Sequence, residues 1–318
     1  MSSDISYTTE EIAKLLKISK LTVYDLIKKG DLPAYRVGKQ MRVDAADLEA
    51  YKNRSKAAAR IDSPPLAERD FPASPVSPPR QSGPRSLVIT GQDVSLDILA
   101  KHMEKGIPGI RPLRSFAGSL DSLISMYRGE ADIVSTHLFD GDTGEYNLPY
   151  IRKLLGGFSC MVINLLGRKA GFYVPKGNPD GLSGWKDLKR PGLRLVNREK
   201  GSGARVLLDE QLRLHGIPAS QIEGYDSEES NHLGVAGKVA SGEADVGVGI
   251  EKAAMTVGTV DFVPLTLERY DLVLLKKKET QEWTDAVVRI IRSEAFQNEL
   301  RSISGYDLSL TGQILYET

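Results

Sequence analysis

Apolar and polar residues alternate along the chain with two periods, one typical of strands and the other of helices. Short apolar runs such as SLVITG (86–91) and ADIVSTHL (131–138) are separated by segments in which apolar residues recur every three or four positions. The runs predict buried strands, and the segments predict amphipathic helices. The predicted helices cover about residues 94–105, 119–128, 204–214, 231–241 and 251–256. This alternation predicts an α/β fold of parallel strand–helix–strand units.

Three further apolar runs predict strands, and one short motif recurs. GFSCMVINLLG (157–167) and GFYVP (171–175) predict two strands in succession, and QIEGY (221–225) predicts another. The tetrapeptide Gly-Glu-Ala-Asp occurs at 129–132 and again at 242–245, each time between a predicted helix and a buried strand. A unit that recurs at this distance predicts two similar lobes.

The first 56 residues have a different pattern, with short helices and a hairpin. Two threonines at 8–9 precede EEIAKLL, and a threonine cap followed by acidic residues predicts a helix start. Ser19 caps a second predicted helix. Alternation in PAYRVGKQMRV (33–43) predicts a β-hairpin, and DAADLEAYKNR (44–54) predicts a closing helix. Two helices, a hairpin and a third helix predict a small winged helix-turn-helix domain.

Between these two patterns lies a proline-rich segment. Seven of the chain's 16 prolines fall within residues 61–85, where few side chains are apolar. Such a segment cannot bury enough surface to order itself, which predicts a linker. We therefore expect a DNA-binding domain at 1–56, a linker at 57–85 and a ligand-sensing domain at 86–318.

Charge is distributed unevenly along the chain, although the formal net charge is zero. Residues 1–60 carry 12 lysines and arginines against 8 aspartates and glutamates, and between Lys14 and Arg42 the ratio is eight to two. A basic module attached to a mildly acidic body predicts that any contact with nucleic acid involves the amino-terminal region.

The composition also limits the cellular setting. A hydrophobic content of 41% with 26% charged residues is typical of a globular protein. The single cysteine, Cys160, excludes an internal disulfide framework and a cysteine-rich zinc site. The sequence shows neither a secretory signal nor a membrane-spanning apolar stretch. These features predict a cytoplasmic protein without a membrane partner.

The segment from Tyr7 through LLKISKLTVYDLIKKGDLPAYRVGKQMRVDAADLEAY resembles the excisionase-type winged helix-turn-helix module over about fifty residues. The resemblance implies that the second helix enters the major groove of double-stranded DNA and that the wing contacts phosphates or the minor groove. The DNA-contacting residues that it implies are Ser19, Lys20, Thr22 and Tyr24 on the helix and Arg36, Lys39 and Arg42 on the wing.

Polar residues collect where the predicted strands of the large domain lead into helices. In open α/β sheets this edge is the usual ligand site. The segment NREKGSGAR (197–205) has two arginines beside a Gly-Ser-Gly turn at a helix start, which favours an anion site. An ordinary helix cap with both arginines in solvent is the alternative. The candidate ligand-binding residues are Gln92, Asp93, Ser95, Ser119, Thr136, His137, Arg198, Ser202, Gly203, Arg205 and His232.

Long stretches of the large domain, among them LVITGQDVSLDIL, NREKGSGARVLLDEQL and GEADVGVGI, resemble the periplasmic-binding-protein-like domain found behind helix-turn-helix modules in bacterial regulators. The resemblance implies a two-lobed type II fold. NREKGSG also resembles the arginine-containing helix start of tungstate-binding proteins, which places Arg198 on the oxyanion. Ala204 and Gln92 depart from that pattern, since hydroxyl residues are expected there.

No signature of catalysis or of a metal site accompanies these patterns. No histidine pair has metal-ligand spacing, DGDTGEYN (140–147) lacks the glutamate of a calcium loop, and no nucleophile lies beside a histidine. His137 and His232 lie at corresponding places in the two lobes and either face the ligand or are structural. Tyr270 either closes over the ligand or packs internally.

The sequence therefore predicts a one-component transcriptional regulator, not an enzyme, that binds operator DNA as a dimer or higher homo-oligomer. A small anion, molybdate or tungstate above all, is the expected effector, with no covalent cofactor. Two alternatives remain: an excisionase-like DNA-architectural protein, and an oxyanion-binding accessory of molybdenum or tungsten cofactor biosynthesis.

Overall fold

A computed structural model of the chain divides it into two compact units, Met1–Pro78 and Pro79–Thr318. The structure describes residues 6–16, 23, 24, 26, 27, 32–37, 40–49, 51 and 84–318. The predicted linker at 57–85 lies outside these residues, apart from its last two positions. We describe each unit by itself.

The amino-terminal unit has a small antiparallel sheet against helical segments. Its labelled elements are strand β1 (Ser6–Thr8), helix α1 (Thr9–Leu16), strand β2 (Tyr35–Val37) and strand β3 (Gln40–Asp44). The strands are ordered β1-β3-β2, so the predicted hairpin is extended by a strand that the sequence analysis did not anticipate. Residues 23, 24, 26, 27, 45–49 and 51 are helical.

Helix α1 begins with a reciprocal cap, and its apolar face forms the core. The Thr8 hydroxyl accepts the Glu11 backbone N–H at 3.3 Å, while the Glu11 carboxylate accepts the Thr8 N–H at 2.8 Å. This capping box satisfies donors that the helix itself leaves unpaired, as the threonine-glutamate spacing predicts. Among the described residues of this unit, the buried core consists of Ile12, Val23, Leu32, Val43 and Leu48.

The carboxy-terminal unit is a mixed α/β structure. Its first elements are β4 (Arg85–Thr90), α2 (Ser95–Gly106), β5 (Ile110–Ser115), α3 (Ser119–Tyr127), β6 (Ile133–Thr136), α4 (Leu148–Leu154) and β7 (Cys160–Pro175). Next come β8 (Leu195–Arg198), α5 (Gly203–Leu214), β9 (Glu228–Glu229), α6 (His232–Ala240), β10 (Val246–Ile250) and α7 (Glu251–Val257). The last are β11 (Val260–Leu275), α8 (Gln281–Arg292), α9 (Glu294–Arg301), β12 (Tyr306–Asp307) and β13 (Ile314–Glu317).

Two long antiparallel strands, β7 and β11, join two lobes. The sheet order is β5-β4-β6-β11-β7-β10-β8-β9, and β7 pairs with β11 along its full length. The first lobe contains β4–β6 with helices α2–α4, α8 and α9, and the second contains β8–β10 with helices α5–α7. The outer strands of each lobe are parallel, as predicted, whereas the two joining strands are antiparallel to their neighbours.

The prediction of two separate strands at 157–167 and 171–175 is wrong, because β7 is continuous through both segments. Its internal glycine does not mark a turn. A β-carbon on Gly171 would lie 2.0 Å from the carbonyl oxygen of Val263 on β11, so this glycine permits close approach of the paired strand. The predicted strand at 221–225 is also absent, since Ala219–Gln221 forms a 3₁₀ turn and the edge strand is β9.

The repeated Gly-Glu-Ala-Asp motif adopts the same conformation in both lobes. Gly129 and Gly242 have φ of 77° and 75°, which is the left-handed region that favours glycine. Asp132 accepts the Val88 N–H at 2.8 Å, and Asp245 accepts the N–H of Arg194 at 2.9 Å. Each motif therefore turns the chain from a helix into a parallel strand and links that strand to its neighbour.

Candidate ligand-binding site

A cavity of about 250 Å³ lies between the two lobes at the carboxyl ends of their parallel strands. Loops after β4, β6 and β8 line it, together with the beginnings of several helices. The structure places these predicted ligand residues in its wall: Gln92, Asp93, Ser119, His137, Arg198, Ser202, Gly203 and His232. Asn231, Lys252, Arg168 and Tyr270 also line it.

Helices α2, α3, α5 and α6 all direct their amino-terminal ends at this cavity, through Val94, Ser119, Gly203 and His232. The first backbone N–H groups of a helix have no partner within the helix, and they carry the positive end of its dipole. Ser202 caps α5 by accepting the Arg205 N–H at 3.3 Å, so its own hydroxyl hydrogen is available to a ligand. Four helix starts around one cavity favour an anionic ligand.

Arg198, at the end of β8, is 2% exposed and is held by contacts from both lobes. Its guanidinium donates to the Glu199 carboxylate at 2.7 Å and to the side-chain oxygen of Gln92 at 2.8 Å. It also reaches the carbonyl oxygens of Glu229 and Ser230. Nη1 has no hydrogen-bond partner among the described residues, so this nitrogen can bind a ligand.

Arg168, on β7, is a second buried arginine in the cavity wall, and the sequence analysis did not identify it. Its Nη1 donates to Asp93 at 2.5 Å and its Nε to Glu268. Burial opposes its charge, but the two carboxylates outweigh that effect and raise its pKa, so Arg168 stays protonated. Nη2 has no partner within the described part of the chain.

The Asp93 carboxylate lies in the same wall, and both of its oxygens accept hydrogen bonds from the protein. Oδ1 accepts the Ser95 N–H at 2.8 Å and the Tyr306 hydroxyl, while Oδ2 accepts Arg168. Burial alone would raise the pKa of Asp93, yet Arg168 and these hydrogen bonds lower it. Asp93 therefore remains ionised and acts as a counter-ion that orients Arg168.

Lys252, in the first turn of α7, is the third cation of the cavity. Its Nζ lies 5.2 Å from the centre of the Tyr306 ring, and it forms no ion pair with any described residue. Burial lowers its pKa, and nearby Asp93 partly offsets this effect. Three cations thus face the cavity, each with at least one donor nitrogen unoccupied.

Both histidines that the sequence analysis left undecided face the cavity. Burial, followed by the two arginines, holds the pKa of His137 and that of His232 well below 6.5, so both rings are neutral. The Ser119 hydroxyl lies 3.0 Å from Nδ1 of His137. Nδ1 of His232 is buried with no partner among the described residues, an exception to the rule that buried polar atoms are hydrogen-bonded.

Tyr270 is an internal support of the cavity wall. Its hydroxyl donates to Ser135 at 2.7 Å, and Ser135 in turn donates to the Thr90 carbonyl. Its ring lies 4.5 Å from the guanidinium carbon of Arg168, a cation–π contact, and 5.2 Å from the His137 ring. Burial raises the pKa of Tyr270 to about 12, so the phenol remains protonated.

The two lobes are in contact around the cavity, which defines a closed arrangement. The Leu120 N–H donates to the Gly201 carbonyl at 3.0 Å across the cleft. A β-carbon on Gly203 would lie 2.2 Å from Cδ2 of His137, so glycine is required for this approach. Farther out, Arg213 pairs with Asp142 at 2.8 Å.

Three predicted ligand residues do not line the cavity. Ser95, the first residue of α2, is fully buried, and Thr136 is buried in β6, where it pairs with Asp271 of β11. Arg205 is directed away from the cavity, because its guanidinium bonds to Asp209 and Glu228 and lies 4.3 Å from the Tyr225 ring. Both arginines of NREKGSGAR (197–205) are buried, so the alternative that placed them in solvent is wrong.

Of the predicted DNA-contacting residues, only some are described. Ser19, Lys20, Thr22 and Lys39 lie outside the described residues. Tyr24 is 43% exposed, and Arg36 on β2 is also exposed. Arg42 on β3 is half-buried and donates to the Ser6 hydroxyl at 3.1 Å.

Within the described residues, none of the helices combines the length and the hydrophobicity of a membrane span. In the same part of the chain, no group of three or more histidine, cysteine, aspartate or glutamate side chains is arranged to hold a metal ion.

Comparison with known proteins identifies the class of each unit. A helix-turn-helix domain matches residues 6–56, and a PBP superfamily domain matches residues 100–292. These are a DNA-binding and a ligand-binding type of domain, a combination that defines a DNA-binding regulator. The chain belongs to the PBP superfamily and carries a helix-turn-helix domain in front of the superfamily domain.

Individual relatives agree with this assignment. The uncharacterized protein YvgK of Bacillus subtilis (strain 168) is 51% identical over 318 residues, which is 100% of both chains. The molybdate-binding protein ModA of Mycobacterium bovis is 28% identical over 196 residues, 59% of this chain and 69% of ModA. The ancestral amino acid-binding protein AncCDT-1 shares the fold, with a TM-score of 0.50 and 18% identity over 68% of this chain and 94% of its own.

Proposed function

We propose that the protein is a transcriptional regulator that binds operator DNA through its amino-terminal unit and a small oxyanion in the cleft of its carboxy-terminal unit. The observation that carries this proposal is the set of unoccupied donors in the cavity. Three cations line this cavity: Arg168, Arg198 and Lys252. Each has a donor nitrogen without a hydrogen-bond partner among the described residues. Four helix starts face the same space.

Molybdate and tungstate are the favoured inorganic ligands. The similarity to molybdate-binding ModA supports an oxyanion of this type. The chemistry of the wall agrees, because Arg168, Arg198 and Lys252 are cations that line it, while the Asp93 carboxylate is already paired with Arg168. A tetrahedral dianion that carries no proton at neutral pH accepts hydrogen bonds and donates none, so it needs donors of this kind.

Regulation would follow from the closed arrangement. Arg198 bonds to Gln92 across the cleft, so an anion held between them favours contact between the lobes. A ligand shifts such an equilibrium only by its difference in affinity for the open and closed arrangements.

We further propose that the protein acts as a dimer or higher oligomer, because a single small winged domain covers a short DNA site.

The test is calorimetric titration of the full-length protein with molybdate, tungstate, sulfate and phosphate, combined with gel-shift measurements on the DNA upstream of its own gene. We expect molybdate or tungstate to bind and to change the affinity for that DNA.

The variant Arg198→Ala tests the site itself. It removes charge-assisted hydrogen bonds, so we expect the anion affinity to fall roughly 10–100-fold while DNA binding persists.

Arg194→Ala is the matched control. Arg194 lies on the approach to the same strand but points to the surface, where it pairs with Asp245 at 2.7 Å. Its loss should leave anion affinity unchanged. A normal ligand response in Arg198→Ala would contradict the proposed site. DNA binding that no anion alters would favour the DNA-architectural alternative, and failure to bind DNA would favour the accessory role.

A further inference from the structure

The cavity is larger and less polar than a bare oxyanion requires. Its volume of about 250 Å³ approaches the roughly 300–1,000 Å³ typical of organic-ligand sites. A tetrahedral oxyanion consists of one central atom and its oxygens, so it occupies only part of this space. The remaining part of the wall shows what else the cavity is built to hold.

The two arginines and the two most exposed apolar side chains lie at different depths of the wall. Arg168 and Arg198 are 4% and 2% exposed, so they lie at the buried end. Val94 and Leu233 line the same cavity but are 38% and 49% exposed, so they lie toward its opening. Apolar wall also continues to the buried end, through Ile250 and Ala253.

The two exposed apolar side chains come from opposite lobes. Val94 precedes α2 in the first lobe, and Leu233 lies in the first turn of α6 in the second. Both remain exposed although the lobes are already in contact, so closure of the cleft does not bury them. A single exposed leucine on a protein surface needs no explanation, but two apolar side chains inside one ligand cavity do.

The position of this apolar part determines what it can bind. It is continuous with the space that the arginines face, because all of these residues line one cavity. A group attached to the anion would therefore reach it without any movement of the lobes. Burial of apolar surface by such a group adds affinity that a bare oxyanion cannot obtain.

We propose that the cleft has two adjoining subsites, a deep one for an oxyanion and an outer apolar one for an organic group, and that its ligand is an organic oxyanion. This inference rests on the proposed anion site and extends it to the class of ligand. The deep subsite contains Arg168 and Arg198, and the outer one contains Val94, Ala117 and Leu233. Inorganic oxyanions fill the deep subsite alone.

The experiment is calorimetry of the full-length protein with matched pairs of anions. The pairs are inorganic phosphate and phenyl phosphate, sulfate and phenyl sulfate, and acetate and benzoate, with molybdate and tungstate as additional bare anions. We expect the phenyl-bearing member of at least one pair to bind at least tenfold more tightly than its bare partner. The whole-protein measurement keeps both lobes and their closure intact.

Variants then show which residues cause the tighter binding of the phenyl-bearing anion. In Leu233→Ala and Val94→Ala, the ratio of substituted to bare affinity should fall at least threefold. Leu113→Ala is the matched control, because Leu113 is 40% exposed and belongs to β5 outside the cavity. It should leave the ratio unchanged.

The outcomes separate this inference from the proposed function. If molybdate or another bare anion binds and no substituted anion binds more tightly than its partner, the apolar subsite is wrong and the anion site stands. If a tenfold gain survives both Leu233→Ala and Val94→Ala, the organic group lies elsewhere and the assignment is also wrong. If none of the anions binds, bare or substituted, the anion site itself is contradicted.

Discussion

The two lobes of the carboxy-terminal unit share one construction and differ in the charge that they bring to the cleft. Each has parallel strands, helices whose first residues face the cavity, and a Gly-Glu-Ala-Asp turn with the same hydrogen bond to a neighbouring strand. The first lobe contributes the carboxylate of Asp93 and neutral groups, whereas the second contributes the cations Arg198 and Lys252.

This difference separates anchoring from closure. The second lobe presents cations, so by itself it offers the stronger attraction for an anion. The first lobe adds Ser119, His137 and Gln92, which reach the cavity when the lobes are in contact. Arg168 belongs to a strand that joins the lobes, and its carboxylate partners hold it in place at the junction. Two lobes of the same construction thus differ in role, one anchoring the anion and the other closing over it, because a few side chains differ.

The largest expected effect concerns this junction. Arg168→Met leaves Asp93 and Glu268 buried without their cation, and breaking a buried ion pair in this way costs about 3–5 kcal/mol of unfolding free energy. Urea denaturation followed by circular dichroism measures this loss.

The control for this prediction removes the whole charge cluster. Replacing the set together, as Arg168→Met with Asp93→Asn and Glu268→Gln, should recover most of the stability because no uncompensated charge remains. If Arg168→Met alone is as stable as the parent protein, then water reaches these carboxylates and the junction does not depend on Arg168.

The next effect tests the contact between the lobes. In Gly203→Ala the new β-carbon would meet the His137 ring at 2.2 Å, and overpacking of this kind costs about 1–3 kcal/mol. The closed arrangement should therefore be disfavoured, and calorimetry should show molybdate affinity roughly 10–100-fold lower. In Gly237→Ala the β-carbon would meet nothing within 4 Å, so this helical glycine of the same lobe is the control. Equal affinities in the two variants would argue against closure on the ligand.

The smallest effect compares the two histidines, one from each lobe. Burial first, and then the arginines, lowers the pKa of both His137 and His232 below the unfolded value of 6.5. The unfolded chain therefore binds more protons below that pH, and stability should fall on acidification by up to about 1.4 kcal/mol per pH unit for each histidine.

Urea denaturation between about pH 7.5 and about pH 5.5 measures this slope. His137→Gln and His232→Gln should each reduce it, because each removes one buried neutral imidazole. If only one of the two cavity histidines changes the slope, the two lobes do not surround their histidines equivalently.

Local signals in the sequence predicted most elements well. The helix predicted at 204–214 is observed at Gly203–Leu214, and the one predicted at 231–241 is observed at His232–Ala240. Ser202 and Asn231 cap these helices through contacts within three residues, so their information is local. Most of the predicted ligand loops line one cavity for a different reason, which is that strand ends and helix starts in an α/β fold share an edge.

Nonlocal packing produced the errors. The sequence predicted two strands on either side of Arg168, but both belong to β7, in which the paired strand approaches closely at Gly171. The sequence did contain an indication that Arg168 is special, since it is a charged residue between two apolar runs. Its partners Asp93 and Glu268 are 75 and 100 residues away in the chain, and no local pattern indicates that distance.

The sequence by itself determined the helix-turn-helix pattern, the α/β lobes with their repeated turn, and most of the loops that line the cavity. These features depend on caps, periodicity and turn residues, which act over a few positions. Only the tertiary structure decided that Arg198 faces the cavity while Arg205 faces away, that Arg168 is the second arginine, and that Val94 and Leu233 line the same cavity. The direction of a buried side chain is set by partners from distant segments, and those partners are brought together only by folding.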